Sequence, residues 1–510
     1  MNDWTAGYTA NIGYTHGYYT ELNPDIMKFA FLNAGLKPPN ISTACELGFG
    51  QGVSINIHSA NSDIEWYGTD FIPAQTVFAK SLTSEHSTNL SLFDDAFEDF
   101  CKRTDLPNFD FIGLHGIWSW ISDSNRRVIV DFLKSKLNTG GVLYVSYNTL
   151  PGWAQFAPMR QLMTDHVNKY GPQGAGITSN IDQSLDFASK LFDLKSRFTE
   201  LNPNLKQRFD SIKDKGRDYL EHEFFNADWH PMYFSDMQGW LSEAKLSFAC
   251  SANFLDTVDA INLTTDQSTF LTSITDSDFA QLIRDFLVNQ QFRKDYWVKG
   301  PLKISKLQKI TELGNQRVIL TVPKSDISMK VVGALGEANL QKNIYHPIIK
   351  ILEDHTAHSI QEIFKKLEHT EVTFENIVQA CVILLGNGAI SIAPVAVNKE
   401  QEQRAIELNK KILNLAESVS SVQYLGSPNF TGAISMARFN QLFMCACKQG
   451  KKLPKELAEF TWEILDKQGQ RLVNEGKTLV SPQENLAELT SQAEDFLKNK
   501  KPMLDKLQLI

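Results

Sequence analysis

The stretch Glu46-Leu-Gly-Phe-Gly-Gln-Gly52 decides how the first third of this chain folds. It follows a short apolar segment, residues 41–47, that is typical of a buried strand, and it precedes the helical run of residues 53–60. Such a turn brings backbone N–H groups and the positive end of a helix to one point. Glycines are needed there because a Cβ would block the close approach of a ligand. The stretch predicts a nucleotide-binding turn, with a tight turn that binds no ligand as the alternative.

Acidic residues follow the next two predicted strands. Residues 64–70 form the second strand and end in Asp70, and the third strand, residues 90–93, is followed by Asp94 and Asp95. A carboxylate after the second strand can accept both hydroxyls of a ribose, as in dinucleotide-binding folds. One after the third strand can accept from an adenine amino group. The alternatives are a helix N-cap for Asp70 and a solvated turn for Asp95.

Two further strands complete the pattern of a doubly wound sheet. They are residues 109–116 and residues 141–148, and a helix that begins near Ser122 lies between them. Five strands alternating with helices imply a parallel sheet, and ligands bind at the carboxyl ends of such strands. This rule predicts one crevice formed by residues 46–52, Asp70, Asp95, His115, Tyr147 and Asn148.

The glycine spacing separates this turn from a dinucleotide-binding turn. The dinucleotide pattern is Gly-x-Gly-x-x-Gly, whereas here Glu46 precedes Gly-x-Gly-x-Gly. This variant resembles motif I of class I S-adenosylmethionine-dependent methyltransferases. The resemblance implies S-adenosylmethionine as the cofactor, with the acid helping to hold the ammonium end of its methionine part. The sequence departs from the motif at Phe49, where Cys or Thr is common.

Downstream segments make the resemblance more specific, and it spans nearly the whole chain. They are similar to signatures of methyltransferases that carry an added methyltransferase regulatory domain, a subgroup that includes protein-lysine methyltransferases acting on bacterial outer-membrane proteins. The segments are residues 14–24, 109–121, 145–153, 219–224, 231–234 and 292–293.

The resemblance and the rule on strand ends together give the expected site residues. The expected cofactor-binding residues are Glu46, Gly48, Phe49, Gly50, Gly52, Asp70, Phe71, Asp95, Ala96, Phe97 and His115. The expected catalytic residues are Tyr14, His115, Tyr147 and Asn148. Tyr18, Trp118, Trp153 and His222 are expected to bind the substrate. No metal is expected, because His222, Glu223 and His230 lack the spacing that puts two imidazoles on one helix face.

The remaining chain predicts three further parts. We expect residues 1–153 and 239–300 to form the methyltransferase core, with residues 154–238 as a helical regulatory cap over the substrate mouth. Residues 301–400, with a helical stretch over 346–367 and a helix–turn–strand over 380–395, resemble a winged helix. Residues 401–510 read as helical throughout.

Composition limits the partners and the location. The 510 residues carry a net charge of −9, and no Lys/Arg cluster lies on the second helix of the winged-helix-like region, so no nucleic acid is expected. No apolar run is long enough to span a membrane. The six cysteines are dispersed and no export signal is visible, which favours the cytoplasm.

The sequence therefore predicts a cytoplasmic methyltransferase that acts on a protein, with lysine as the expected acceptor. The large accessory region exceeds what a small substrate needs. Three alternatives stay open: a small-molecule methyltransferase with the cap as a lid, a non-catalytic cofactor sensor that signals through the winged helix, and an NAD-dependent oxidoreductase.

Overall fold

A seven-stranded mixed sheet forms the centre of the chain. The computed structural model describes residues 15–172 and 176–510, so the predicted catalytic Tyr14 lies outside the described residues. The sheet runs in the order β3-β2-β1-β4-β5-β7-β6; β1 to β5 pair in parallel, and β7 is antiparallel to both neighbours. The strands are β1 Thr43–Leu47, β2 Glu65–Thr69, β3 Leu90–Phe93, β4 Phe109–Leu114, β5 Leu137–Asn148, β6 Ser247–Ser251 and β7 Phe292–Val298.

Five helices cover the sheet, and the last four of them connect the parallel strands. They are α1 Pro24–Asn33, α2 Val53–Ala60, α3 Pro73–Leu82, α4 Phe97–Lys102 and α5 Asp123–Lys136. Asn23 caps the start of α1, because its side chain accepts a hydrogen bond from the N–H of Asp25. Ser122 caps α5 by accepting from the N–H of Asn125. The predicted doubly wound sheet is confirmed, and its two faces are buried in separate apolar clusters.

Alternation along β5 sends neighbouring side chains to opposite faces of the sheet. Tyr144 lies in the apolar cluster that includes α1, whereas Tyr147 lies in the cluster that includes α5. Both side chains are fully buried. Their separation follows from the two-residue period of a strand.

A helical insert with a small apolar core of its own lies between β5 and β6. Its core contains Trp153, Phe156, Phe209 and Phe224. The helices are α6 Leu150–Trp153, α7 Ala157–Tyr170, α8 Ile177–Asp193, α9 Arg197–Leu201, α10 Leu205–Lys213 and α11 Arg217–Phe224. Four more helices accompany β6 and β7, namely α12 Phe234–Ser242, α13 Asp259–Asn262, α14 Thr265–Thr272 and α15 Ser277–Val288.

The next region contains a three-stranded antiparallel sheet of order β11-β8-β12 and a separate hairpin, β9–β10. Its elements are α16 Lys306–Asn315, β8 Arg317–Leu320, β9 Lys330–Gly333, β10 Gly336–Asn339, α17 Lys342–Leu352, β11 His358–Ser359, α18 Ile360–Lys366, α19 Phe374–Gly386 and β12 Ile390–Ala393. The expected continuous helix over 346–367 is wrong, because the chain turns at His355, whose φ is +54°, and enters β11. The winged-helix assignment stays a prediction.

The C-terminal region is mostly helical, as expected, but it also contains two β-hairpins. Its elements are α20 Lys399–Ala416, β13 Tyr424–Ser427, β14 Phe430–Ser435, α21 Arg438–Lys448, α22 Pro454–Lys467, β15 Val473–Asn474, β16 Lys477–Thr478, α23 Pro482–Asp495, a π-helical turn Phe496–Lys500 and α24 Lys501–Lys506. The Ser-Pro-Asn turn at 427–429 produces the β13–β14 hairpin, and a helical pattern does not reveal it. No helix in the described ranges is long and apolar enough to cross a membrane.

Candidate functional site

The glycine turn after β1 adopts a backbone that other residues rarely take. Gly48, Gly50 and Gly52 have φ angles of +76°, +57° and +68°. A Cβ on Gly48 would lie 2.4 Å from the Cδ1 of Ile117, and one on Gly52 would lie 2.4 Å from the Cβ of Ala79. Gly48 therefore keeps space open beneath Ile117, while Gly52 allows α2 to pack closely against α3.

This turn forms one wall of a cavity at the carboxyl ends of β1 to β4, which we call the strand-end cavity. It includes most of the predicted cofactor-binding residues, but within the described ranges Gly52 and Ala96 are not part of its lining. The lining residues are Thr15, Gly17, Tyr19, Glu46, Gly48, Phe49, Gly50, Gln51, Asp70, Phe71, Ile72, Gln75, Asp95, Phe97, His115, Gly116, Ile117 and Ile121.

Glu46 presents a buried carboxylate at the base of the turn. The side chain is 2% exposed, and its Oε2 has no hydrogen-bond partner among the described residues. Burial raises its pKa well above the usual value, and the nearby charge of Asp70 adds to that effect. A buried carboxylate oxygen without a partner is costly unless a positive or hydrogen-bonding group meets it. Glu46 therefore marks a place for such a group.

Asp70 holds the glycine turn in shape. Its Oδ2 accepts from the N–H of Gly50 at 2.8 Å, and its Oδ1 accepts from the N–H of Ile72 at 3.0 Å. Burial raises the pKa of Asp70 to about 7, although the two N–H donors act in the opposite direction. Each carboxylate oxygen has a second lone pair, so contact with a ligand remains available.

Asp95 lines the cavity just after the end of β3, where an arginine pairs with it. Arg103 contacts its Oδ2 at 3.0 Å and also covers the ring of Phe93. Ala96 is the residue that precedes α4, and Phe97 begins that helix and faces the cavity. The third strand end thus supplies one half-exposed carboxylate and one aromatic ring.

His115 sits between two tyrosines at the end of β4. Its ring stacks on Tyr19 with centroids 3.6 Å apart, and its Nδ1 lies 2.7 Å from the hydroxyl of Tyr144. Burial lowers the pKa of His115 well below its usual value, and the charge of Lys294 adds to this shift. The imidazole is therefore neutral at physiological pH.

Tyr19, rather than the predicted Tyr18, faces the cavity. The segment 15–19 has no regular secondary structure, and Thr15, Gly17 and Tyr19 alternate into the lining. Tyr18 instead packs against His58 and Tyr424, with centroids 5.2 and 5.8 Å away. The two-residue period of an extended segment was the signal that separates these neighbouring tyrosines.

The β13–β14 hairpin holds this segment in position. The side chain of Asn23 donates to the carbonyl of Thr431, and the side chain of Asn61 donates to the carbonyl of Gly432 at 2.9 Å. A Cβ on Gly432 would lie 2.9 Å from the hydroxyl of Tyr18. The C-terminal region thus contacts Tyr18 and Asn23, which lie close to Tyr19 in the sequence.

The two predicted catalytic residues of β5 lie away from the cavity lining. The Tyr147 hydroxyl donates to Oδ2 of Asp295 at 2.9 Å, on the face of the sheet opposite Tyr144. The N–H of Asn148 donates to Oγ of Ser119, and its Oδ1 accepts from Nε1 of Trp153. Through these contacts, Tyr147 and Asn148 connect β5 to the segments packed around it.

The predicted substrate-binding residues are likewise packed inside the protein. Trp118 is fully buried edge-on against Trp240, and His222 is buried in α11. Trp153 is 8% exposed, and the guanidinium of Arg208 covers its ring at 4.2 Å. As far as the described chain extends, Tyr18, Trp118, Trp153 and His222 are not part of the cavity lining.

Several lining residues were not predicted, and most of them lie beside predicted ones. Gln51 lies inside the predicted glycine turn but was not named as a cofactor-binding residue, while Gly116, Ile117 and Ile121 lie in the segment 109–121 that carried the resemblance. Ile72 immediately precedes α3, and Gln75 lies in its first turn. Among the described residues, no group of three or more His, Cys, Asp or Glu side chains has an arrangement that could hold a metal ion.

Comparison with known proteins identifies the family. The chain is 37% identical to an uncharacterized protein of Synechocystis over 99% of both chains. Residues 216–299 match the family model described as a predicted methyltransferase regulatory domain. In fold, the chain is similar to PKMT2 from Rickettsia typhi, whose structure was solved in complex with AdoHcy. The match covers 95% of this chain and 98% of that one, with a TM-score of 0.67 and 18% sequence identity. The chain belongs to the class I S-adenosylmethionine-dependent methyltransferases.

The predicted family and its cofactor class are thereby confirmed. A second structure of PKMT2 from the same organism gives a TM-score of 0.66 at 17% identity, covering 97% of this chain and 99% of that one. In this methyltransferase the matched regulatory segment begins within the predicted cap and includes β6 and β7. The division of the chain into four parts stays a prediction.

Proposed function

We propose that this methyltransferase transfers the methyl group of S-adenosylmethionine to a lysine side chain of a protein substrate. The strand-end cavity carries the proposal, because it joins a buried carboxylate oxygen without a partner, at Glu46, to a neutral aromatic stack at His115. S-adenosylmethionine supplies an electrophilic methyl group on a sulfonium, which an amine takes up by in-line displacement. The likeness in fold to PKMT2 over almost the whole chain supports the choice of substrate class.

The residues of the cavity fit the cofactor part by part. Glu46 would hold the ammonium of the methionine portion, beside the backbone of Gly48 and Gly50. Asp70 and Phe71 would contact the ribose, because the second strand end is where ribose hydroxyls meet a carboxylate in related nucleotide sites. Asp95 and Phe97 would contact the adenine.

The chain's own residues prepare the acceptor amine by keeping water away. The side chains of Ile117, Ile121 and Tyr19 give the cavity an apolar wall. An apolar environment lowers the pKa of a lysine ammonium, so the amine enters in its neutral and nucleophilic form. His115 is a positioning candidate: its Nδ1 is bonded to Tyr144, so any contact with substrate falls to Nε2.

The accessory regions support a macromolecular substrate. The helical insert has a core of its own, and we propose that residues 154–238 form a cap that admits the substrate. All six cysteines are free thiols, which supports a reducing compartment such as the cytoplasm. We propose that the winged-helix-like and C-terminal regions serve as scaffold and protein contact.

Labelled S-adenosylmethionine tests this function. We expect the purified chain to transfer label to proteins of a cell-envelope fraction, and peptide mass spectrometry to locate the added mass on lysine. At subsaturating cofactor, the variant Glu46→Gln should transfer about tenfold less label or lower still. The variant Glu65→Gln, which changes an exposed carboxylate at the start of β2, should keep the wild-type level. Label that appears only on a small metabolite would overturn the proposal.

A further inference from the structure

A second cavity lies between β6, β7 and α15, and we call it the β7 cavity. It has a volume of about 230 Å³, and its polar lining includes Asp256, Asp285, Asp295, Arg284 and Arg293. Ligand pockets for drug-sized molecules are larger, at roughly 300–1,000 Å³. The β7 cavity therefore has room for a small molecule only.

The charges of this cavity do not balance. Arg293 lies between two buried carboxylates, with NH1 at 2.6 Å from Oδ1 of Asp285 and Nε at 2.8 Å from Oδ2 of Asp295. One guanidinium beside two carboxylates leaves an excess of one negative charge. Asp256 adds another carboxylate, and Arg284 is directed to the exposed Asp259 and to a backbone carbonyl.

Two carboxylate oxygens of the cavity have no partner. In the described structure Oδ2 of Asp285 and Oδ1 of Asp295 are buried without a hydrogen bond, and both side chains are almost completely buried. Burial raises the pKa of Asp285 to about 6. The carboxylate is therefore mostly ionised at neutral pH, and its free oxygen favours a donor that carries positive charge.

The chemistry of the lining selects the kind of cation. No metal-binding arrangement of His, Cys, Asp and Glu is found in the part of the chain that the structure describes. Ammonium and guanidinium groups carry several N–H donors and suit two neighbouring carboxylates. An organic cation fits these oxygens better than a metal ion does.

We propose that the β7 cavity binds a small free organic cation with an ammonium or guanidinium group, and that this ligand regulates the enzyme. The cavity residues 248–295 lie inside the segment 216–299 that matches the regulatory-domain model. The proposal concerns a site separate from the strand-end cavity and stands whichever acceptor the enzyme methylates.

Direct contacts connect the β7 cavity to the end of β5. Asp295 accepts from the hydroxyl of Tyr147 on β5. Gln290 lines the cavity, and its carbonyl accepts from the N–H of Gly152 at 2.8 Å, next to Trp153. A cation that binds Asp295 or displaces Gln290 therefore changes the contacts at the end of β5, the strand that precedes the cap.

Calorimetric titration of the full-length protein tests the site without any methyl transfer. The probes are agmatine and putrescine, with 1,4-butanediol as an uncharged molecule of similar length. We expect at least one cation to bind and the diol not to bind. No binding of either cation at about 10 mM, roughly ten times a dissociation constant of about 1 mM, would overturn the proposal, as would equal binding of the diol.

Matched variants place the ligand. Asp285→Asn should weaken cation binding about tenfold or more, because a charge-assisted hydrogen bond is lost. If that variant does not fold, Asp256→Asn, whose side chain is not bonded to Arg293, serves the same purpose and should weaken binding in the same direction. Asp266→Asn, which removes an exposed carboxylate of α14 that is not part of the cavity lining, should bind within about twofold of the wild type.

A further comparison distinguishes a free small cation from a cationic side chain of a protein. An arginine-containing peptide that binds while free agmatine and putrescine do not would assign the cavity to a protein side chain and overturn a small-molecule regulator. Unchanged cation affinity in both Asp285→Asn and Asp256→Asn would also overturn it. Loss of methyl transfer in a protein that still binds agmatine would count against the proposed function and leave this site intact.

Discussion

The strand-end cavity and the β7 cavity both bury carboxylates, but different parts of the chain hold them in place. In the strand-end cavity, backbone N–H groups of the glycine turn and of the start of α3 hold Asp70. In the β7 cavity, the side chain of Arg293 holds Asp285 and Asp295. The first arrangement comes from local loop geometry and the second from side chains that fold together. This difference determines which substitutions should harm each cavity.

The largest expected effect comes from the glycine turn. Gly48→Val places a side chain at a positive φ and against Ile117, so we expect cofactor affinity to fall about a hundredfold, the equivalent of roughly 1–3 kcal/mol of strain plus the clash. Titration with S-adenosylhomocysteine measures it. Gly140→Ala is the control, since its φ is +84° but its Cβ would meet no described atom within 4 Å. Gly140→Ala should lower the free energy of unfolding and leave cofactor affinity unchanged. Equal losses of affinity in the two variants would contradict a specific role for Gly48.

The next effect separates charge from shape at Glu46. Glu46→Gln keeps the size of the side chain and removes its charge, so cofactor affinity should fall about tenfold or more. Because burial disfavours the ionised carboxyl, the free variant should be at least as stable as the wild type in thermal unfolding. A variant that binds S-adenosylhomocysteine as tightly as wild type would remove Glu46 from the site.

A third prediction concerns pH. The folded pKa of Asp70, about 7, lies above its usual value of 3.8, so the folded state binds the proton more tightly than the unfolded chain does. The contribution of Asp70 to stability is therefore fully present below pH 3.8 and is lost as pH rises to about 7. Between pH 5 and pH 8, the free energy of unfolding measured in urea should fall more steeply for wild type than for Asp70→Asn. The difference between the two slopes should correspond to about one bound proton or less per molecule. Parallel profiles would contradict the shifted pKa.

The smallest expected effect tests the aromatic stack. Tyr19→Leu removes the ring that covers His115, and aromatic pairs contribute about 0.5–1.5 kcal/mol, so affinity or turnover should fall roughly two- to tenfold. Tyr170→Leu, at an exposed position of α7, is the control and should behave as wild type. Steady-state methyl transfer and calorimetry together show whether the stack serves binding or turnover. No change in either would remove Tyr19 from the site.

The comparison of the two cavities also explains how much of the candidate site could be predicted from the sequence. The glycine turn and the acids at three strand ends were predictable because parallel strands end at one edge, and the structure brings Glu46, Asp70, Asp95 and His115 to one cavity. Tyr147 and Asn148 also lie at a strand end, as the last residues of β5. The side chain of Tyr147 is on the other face of the sheet, and that of Asn148 bonds to Trp153. Proximity to a strand end therefore does not establish that a side chain faces the ligand.

The β7 cavity was beyond prediction for a different reason. Residues 239–300 were predicted to belong to the methyltransferase core, yet nothing in that sequence indicates that Arg293 on β7 meets Asp285 on α15, eight residues earlier. The hairpin that supports the segment around Tyr19 lies about 400 residues from it, since Asn23 contacts Thr431. Long-range side-chain contacts of this kind require the packed fold.

A crystal structure with S-adenosylhomocysteine is the most direct test of the central claim. The account predicts that the ligand occupies the strand-end cavity, with its amino group within hydrogen-bonding distance, about 3 Å, of Glu46 and with a ribose hydroxyl on Asp70. A ligand bound elsewhere, or bound in the cavity with its amino group away from Glu46, would contradict it.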